Sequence, residues 1–254
     1  MVTEPVLIAG KWRTADATGV FSSENPSTCE QLRKEYPVSS WADCEAALDA
    51  ASAAFKELRS MPAARIADFL ERYAELIEER RDSLVEMAHE ETGLPKSPRL
   101  ADVELPRTTG QLRQAAAAAR TGNWRQPIID SANNIRSCHG SIGPVIVFGP
   151  NNFPFAFGSI SGGDFAAAIA AGNPVIAKAN SSHPGTTKLF AEAAQTAGEE
   201  TGMPSGMVQL LYRTSHPVGE QLVTDSRMGA TGYTGARSAG LKLKKAADDA
   251  GKPI

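Results

Sequence analysis

Residues 145–154 read VIVFGPNNFP. Four apolar residues, three of them β-branched, run directly into Gly149-Pro150 and a pair of asparagines. That is the pattern of a strand buried on both faces that ends in a tight loop. Similar runs recur downstream at Val175-Ile176-Ala177, Val208 to Leu211 and Ala230 to Tyr233, each followed by a helix-compatible stretch. The strand starts lie about 22 to 33 residues apart, the length of a right-handed crossover between parallel strands. The expected fold class is α/β, with a parallel sheet flanked by helices on both faces.

Upstream, Val6 to Arg13 reads as a short hairpin around Gly10-Lys11. Cys44, Leu48, Ala51, Phe55 and Leu58 then recur at helical steps, with Ser40 standing as the N-cap. Pro62 suits the first turn of a second helix, whose apolar face runs through Ile66, Phe69, Leu70, Tyr73, Leu76 and Ile77, and which Thr92-Gly93-Leu94-Pro95 is expected to stop. A third helical stretch spans Val103 to Arg120 and ends at Thr121-Gly122. From Asn123 to Gly140, alternating short pieces with Pro127 and a turn at Asn133-Asn134 predict a β-ribbon excursion, whose exposed edge is able to pair with another chain.

Composition narrows the function classes. Lys plus Arg number 26 against 29 Asp plus Glu, for a formal charge of −3, and 42% of residues are apolar. These values exclude disorder, a collagen-like chain and a polybasic nucleic-acid arm. Cys29, Cys44 and Cys138 form no close pair, which argues against a disulfide framework or a structural zinc site and fits a reducing cytoplasm. Glu4 sits where a secretory signal would be positive, so no export signal is expected. The most apolar region, Ile142 to Ala179, is broken by Gly149, Asn151, Asn152, Pro154, Gly162, Asp164 and Gly172, so no membrane span is expected.

In an open parallel sheet, ligands gather beyond the carboxyl ends of the strands, which directs attention to the loops beginning at Gly149, Lys178, Tyr212 and Thr234. A buried asparagine amide after the first strand would present a fixed N–H donor to a developing oxyanion, whereas a turn that caps a helix would use the same residue types. Lys178 places a cation where a ribose or phosphate would lie, unless it is a solvated surface lysine. Tyr233-Thr234-Gly235-Ala236 leads into a helix, whose N-terminal N–H groups form an anion site. Neither the P-loop spacing nor a G-x-G-x-x-G after a strand is present.

Taken in order, Gly143-Pro144-Val145 through Asn152-Phe153-Pro154, Ala171-Gly172-Asn173-Pro174-Val175-Ile176-Ala177-Lys178, and Tyr233-Thr234-Gly235 resemble the aldehyde dehydrogenase superfamily over essentially the whole chain. Gly162-Gly163-Asp164, His183-Pro184-Gly185-Thr186 and Arg107 to Arg113 are most similar to the branch that oxidises α-ketoglutarate semialdehyde and long-chain aldehydes, often with NADP. The resemblance implies a Rossmann-like cofactor-binding domain over residues 1–122 and 141–254, with an oligomerisation ribbon at 123–140. It implies that Asn152 is the oxyanion-hole asparagine, and that Lys178 contacts the adenosine ribose or its 2′-phosphate. Phe148, Gly149, Pro150, Asn151, Ser181, His216, Gly219, Thr234, Gly235 and Ala236 would complete the NADP or NAD site, and no metal is implied. A neutral Ser181, where a glutamate favours NAD, removes repulsion against a 2′-phosphate. Ala236 departs from the family's serine, and His216 from the arginine of some NADP-using relatives.

Family members continue into a Glu-Leu-Gly strand and a domain carrying the cysteine nucleophile, whereas this sequence stops at Lys252-Pro253-Ile254. Cys138 matches no nucleophile position, and its neighbour His139 would point to the opposite face of an extended strand. The expectation is that this chain alone does not oxidise aldehydes, and that a small-molecule aldehyde is engaged only together with the C-terminal half. A non-catalytic nucleotide-binding or interaction module is the alternative. A short-chain dehydrogenase would need Y-x-x-x-K, which is absent, and a hydrolase elbow near Ser238 would need a later histidine, whereas all four histidines lie upstream. His89-Glu90-Glu91 reads as a charged helix face rather than a metal site.

Overall fold

The computed structural model describes residues 3–254. The chain opens with the expected hairpin, β1 (Val6–Ile8) and β2 (Lys11–Arg13), turning through Ala9 and Gly10 with φ of 52° and 73°. Both turn residues are left-handed, the backbone a two-residue hairpin needs. Next come β3 (Ala17–Phe21), the short pair β4 (Glu24–Asn25) and β5 (Glu30–Gln31), and β6 (Tyr36–Ser39). The pairing of β3 with β6 was not anticipated, because β3 is exposed at most positions and Gly19 and a register shift break its alternation.

Helix α1 (Trp41–Leu58) starts as expected at Ser40, whose Oγ accepts from the Ala42 N–H at 3.1 Å and donates to Asp16 at 2.6 Å. The helix expected from Pro62 to Thr92 is two helices, α2 (Ala63–Glu79) and α3 (Arg81–Thr92). Arg80, at φ −99° and ψ 14°, leaves the helical region between them. The apolar stripe of α2 is spent at Ile77, and the bend lets Leu84, Val85 and Ala88 bury a different face. Gly93, left-handed at φ 67°, ends α3 where the sequence placed the stop. An irregular helical stretch, Lys96–Glu104, precedes α4 (Leu105–Thr121), so the third helix begins earlier than Val103. Gly122, also left-handed, closes α4.

The ribbon follows as β7 (Ile128–Asp130) and β8 (Ile135–Ser137), paired antiparallel around the Asn133-Asn134 turn. Ile128, Ile129 and Ile135 are each more than half exposed. Then come β9 (Val145–Phe148), α5 (Gly163–Ala170), β10 (Val175–Lys178), α6 (Pro184–Thr201), β11 (Val208–Leu211), β12 (Arg213–Thr214), α7 (His216–Thr224), β13 (Ala230–Tyr233) and α8 (Arg237–Asp249).

The main sheet runs β13-β9-β10-β11-β1-β2. The four predicted strands are parallel, but the sheet is mixed, because β1 joins β11 antiparallel with Leu7 opposite Leu210. Val6, Leu7 and Ile8 are all buried, so the first strand of this hairpin is part of the core. The helical layer is knit by α2, which packs on α4 and α6. Phe69 stacks on Tyr73 and Phe165 meets Tyr73 edge-on, with ring centroids 6.0 and 5.8 Å apart, and Tyr73 donates to the Ile160 carbonyl at 3.0 Å. The Gly172-Asn173-Pro174 stretch has a structural purpose: the buried Asn173 Oδ1 accepts from the N–H groups of Ile142 and Gly143 and so ties the entries to β9 and β10 together.

Candidate functional site

Phe148, Lys178, Leu211 and Tyr233 stand side by side where the four parallel strands end. The loops beyond them enclose a cleft of about 1050 Å³. Every site residue named from the sequence lines this one cleft: Phe148 to Asn152, Lys178, Ser181, His216, Gly219, and Thr234 to Ala236. Arg213, Asn180 and Tyr233 line it too, although none was named as a site residue.

The β9 loop is shaped by a close approach. A Cβ on Gly149 would lie 2.8 Å from the Phe157 carbonyl oxygen and 2.8 Å from the Ser159 nitrogen, so only glycine lets the returning chain pass. Asn180 Nδ2 donates to the Gly149 carbonyl at 3.1 Å, and the Thr234 N–H to the Phe148 carbonyl at 3.1 Å, tying the three loops to one another. His183 is buried, which lowers its pKa, and its neutral ring donates from Nε2 to the Pro150 carbonyl at 2.9 Å. Asn152, expected to be buried, is instead exposed on the cleft rim. What is held is its main chain, because Arg99 Nη2 donates to the Asn152 carbonyl at 3.0 Å.

Lys178 departs from the solvated-lysine reading. Burial, reinforced by the nearby Arg213, pushes its pKa down to about 8. Among the described residues, no carboxylate forms an ion pair with Lys178 or with Arg213. The guanidinium of Arg213 rests instead over the Phe21 ring, 5.6 Å from its centroid. Lys178, Arg213 and Lys242 therefore line the cleft without an ion-pair partner among these residues, against the single carboxylate of Glu220, a balance that favours an incoming anion.

The last loop enters α8 without a side-chain cap, because Ala236 has no acceptor to offer the first N–H groups. An anion seated there would supply the missing acceptors. At the neighbouring α7, Ser215 caps its own helix through the Val218 N–H at 3.4 Å. Tyr233 lies with its ring 6.1 Å from that of Phe148 and donates its hydroxyl to the Ala236 carbonyl at 2.9 Å, fixing the turn.

Among the described residues, no cysteine lines this cleft. Cys138 is exposed on the ribbon, and Cys44 is buried, its thiol pushed up to about 12 by desolvation. No group of three or more His, Cys, Asp and Glu side chains is placed to hold a metal ion among these residues, and no helix is long and apolar enough to cross a membrane.

The charged-face reading of His89 to Glu91 is corrected. Glu91 is buried and accepts from the N–H groups of Gly185 and Thr186, each at 2.8 Å, and from the hydroxyls of Thr186 at 2.8 Å and Ser23 at 3.0 Å. It caps the N-terminus of α6 from another helix. Burial raises its pKa, with the four donors pulling the other way. Helical periodicity places Glu91 without revealing that α6 docks on it.

Comparison with known proteins agrees with this geometry. The model of the Aldehyde dehydrogenase family matches residues 12–254. An α-ketoglutaric semialdehyde dehydrogenase 2 of Azospirillum brasilense is 39% identical over 98% of this chain and 49% of its own length, and an α-ketoglutaric semialdehyde dehydrogenase of Acinetobacter baylyi is 38% identical over 84% and 41%. The chain spans about half the length of the curated relatives it matches. Among solved structures, a lactaldehyde dehydrogenase superposes with a TM-score of 0.87 at 25% identity, over 99% of this chain and 51% of that one. A NAD-dependent benzaldehyde dehydrogenase from Corynebacterium glutamicum gives 0.85 at 26%, over 100% and 54%.

Proposed function

Because the chain belongs to the aldehyde dehydrogenase family, we propose that it supplies the dinucleotide cleft and one oxyanion donor to an enzyme that oxidises an aldehyde to a carboxylic acid. The observation that carries this reading is the set of unpaired cations, Lys178, Arg213 and Lys242, in the cleft that also holds Asn152 and the uncapped start of α8. Those groups suit the phosphates and ribose of NAD or NADP. Bound there, the nicotinamide would accept the hydride that leaves the aldehyde carbon.

The residues of this chain divide the work. The Asn152 amide, on the rim, donates to the oxygen that gains negative charge when the carbonyl is attacked. Lys178 and the α8 N-terminus hold the anionic end of the cofactor, and Tyr233 and Phe148 wall the cleft between them. Ser181, being neutral, and Arg213, being cationic, favour NADP over NAD, because a 2′-phosphate would meet attraction and no carboxylate from either. The attacking thiolate and the carboxylate that activates water are expected from a catalytic half outside these residues. The names of the relatives point to a semialdehyde bearing a carboxylate as the substrate class, and a reducing cytoplasm as the setting fits the three free cysteines.

Titration of the folded 254-residue chain with NADP and NAD tests the cleft. Saturable binding, tighter for NADP, is expected, and no binding of either would overturn the proposal. Aldehyde-dependent NADPH formation should appear only when a C-terminal catalytic half is supplied, and replacing Asn152 with Ala should then lower kcat about a hundredfold. Turnover by the chain alone that survives Cys138→Ala would refute this division of labour.

A further inference from the structure

The loop that carries Asn152 is gripped from outside the cleft. Glu104, fully buried just before α4, accepts with a single carboxylate oxygen from the N–H groups of Phe155 at 2.8 Å and Ala156 at 3.0 Å. Its other oxygen forms an ion pair with Arg99. The second arm of Arg99 donates to the Asn152 carbonyl at 3.0 Å, while its guanidinium lies over the Phe153 ring at 4.3 Å. Phe153 in turn meets Phe157 edge-on at 5.2 Å. Five consecutive residues, Asn152 to Ala156, are thus fixed at both ends by one acid and one base from a different segment, about 50 residues upstream in the chain.

This grip matters because the Asn152 side chain is exposed and has no hydrogen-bond partner among the described residues. An exposed amide can be a preorganised donor only if the backbone it springs from is held still, since each loose dihedral spreads its N–H over a wider arc. The Arg99–Glu104 pair contributes nothing to the cleft lining. Burying the Glu104 charge is justified only by a full set of donors, and three of them are found: two N–H groups of this loop and the guanidinium.

We propose that Arg99 and Glu104 are positioning residues that fix the Asn152 backbone, and through it the direction in which the Asn152 amide is presented to the reacting carbonyl oxygen. The inference rests on the reading of Asn152 as an oxyanion donor, but its two tests fail separately. The first is made on the 254-residue chain by backbone relaxation and amide exchange in solution NMR. The parent loop should be as rigid as the sheet, with order parameters about 0.85. Arg99→Lys keeps the charge beside Glu104 but loses the planar fork that reaches Asn152. It should loosen Asn152 and Phe153, to order parameters below about 0.6, while the Phe155 and Ala156 amides keep their protection. Glu104→Gln retains one acceptor oxygen and should preserve those two amides, whereas Glu104→Ala should speed their exchange about tenfold or more. An Asn152 as ordered in Arg99→Lys as in the parent, at an unchanged melting temperature, overturns the proposal.

The second test uses the chain together with a catalytic half. Arg99→Lys should lower kcat about tenfold, with the KM for aldehyde and the affinity for NADP within twofold of the parent. A parental kcat in this variant overturns the positioning role. A parental kcat in Asn152→Ala overturns the oxyanion reading instead.

Discussion

Replacing Lys178 with Met should make the protein more stable and less able to bind its cofactor. The ammonium is desolvated at the end of β10, has Arg213 for a charged neighbour and lacks a carboxylate, and its pKa falls to about 8 from the 10.5 of a free lysine. His183, also close, is neutral, and Glu220 lines the same cleft without pairing with it. At 1.36 kcal/mol per decade, the depression corresponds to roughly 3 kcal/mol of unfavourable free energy carried by the charged form in the folded state. Because Lys178 is only partly buried at the strand end, the realised gain on removing the charge should be smaller, about 1–2 kcal/mol. The sign follows from linkage. Below pH 8 the lysine is protonated in both the folded and unfolded chains, and the whole penalty is present. Between pH 8 and 10.5 the unfolded chain binds the extra proton, so parental stability rises with pH and the advantage of Lys178→Met shrinks. Urea denaturation at pH 7 and pH 10 measures both ends, with Met chosen to match the length of the aliphatic stem. A variant less stable than the parent at pH 7, or an advantage that grows toward pH 10, would refute the view that this lysine is held at a cost for its ligand.

Other substitutions probe separate features. Arg213→Ser should weaken NADP about fivefold and leave NAD within twofold, as calorimetric titration of both would show, since a rim cation contributes on the order of 1 kcal/mol. Glu91→Ala strips the acceptor from three donors at the start of α6 and from the Ser23 hydroxyl and should cost about 3 kcal/mol in chemical denaturation; Glu91→Gln, which keeps an acceptor oxygen, should cost less. Gly149→Ala forces a methyl group into the backbone of Phe157 and Ser159 and should abolish NADP binding before it lowers the melting temperature substantially. We expect the exposed ribbon to join copies of the chain, so Ile129→Asp should lower the molar mass measured by light scattering. An unchanged mass from an oligomeric parent would place the interface elsewhere.

Strand β9 and the loop at its end were legible because a short β-branched run followed by glycine, proline and asparagine has few other structural uses. VIVFGPNNFP locates both a strand and the loop beyond it, and Gly149 is required there for a reason that geometry makes explicit. Sequence patterns proved weakest where a residue's partner comes from elsewhere in the chain. Glu91 and Glu104 sit on helical segments and look like solvent-facing acids, yet each is buried because it satisfies N–H groups of a distant loop or helix. Arg80 carries no helix-breaking chemistry, so the bend between α2 and α3 follows from packing on α6 and not from any local signal. Asn152 is exposed where its sequence context suggests a buried amide, since residue type cannot tell which atoms will cover a side chain.

The antiparallel seam between Leu7 and Leu210 also bears on biosynthesis. Strand β1 is buried against β11, which lies about 200 residues later in the chain, so during synthesis at roughly 5–20 residues per second Val6, Leu7 and Ile8 must wait some tens of seconds for their neighbour. For that interval the nascent hairpin offers an unpaired edge and three uncovered aliphatic side chains to whatever the ribosome's surroundings contain. Closing a loop of about 200 residues also defers the pairing of β1 with β11 until β11 has been synthesised. Slowing the ribosome at codons before Val208 should therefore favour chaperone capture of the amino terminus.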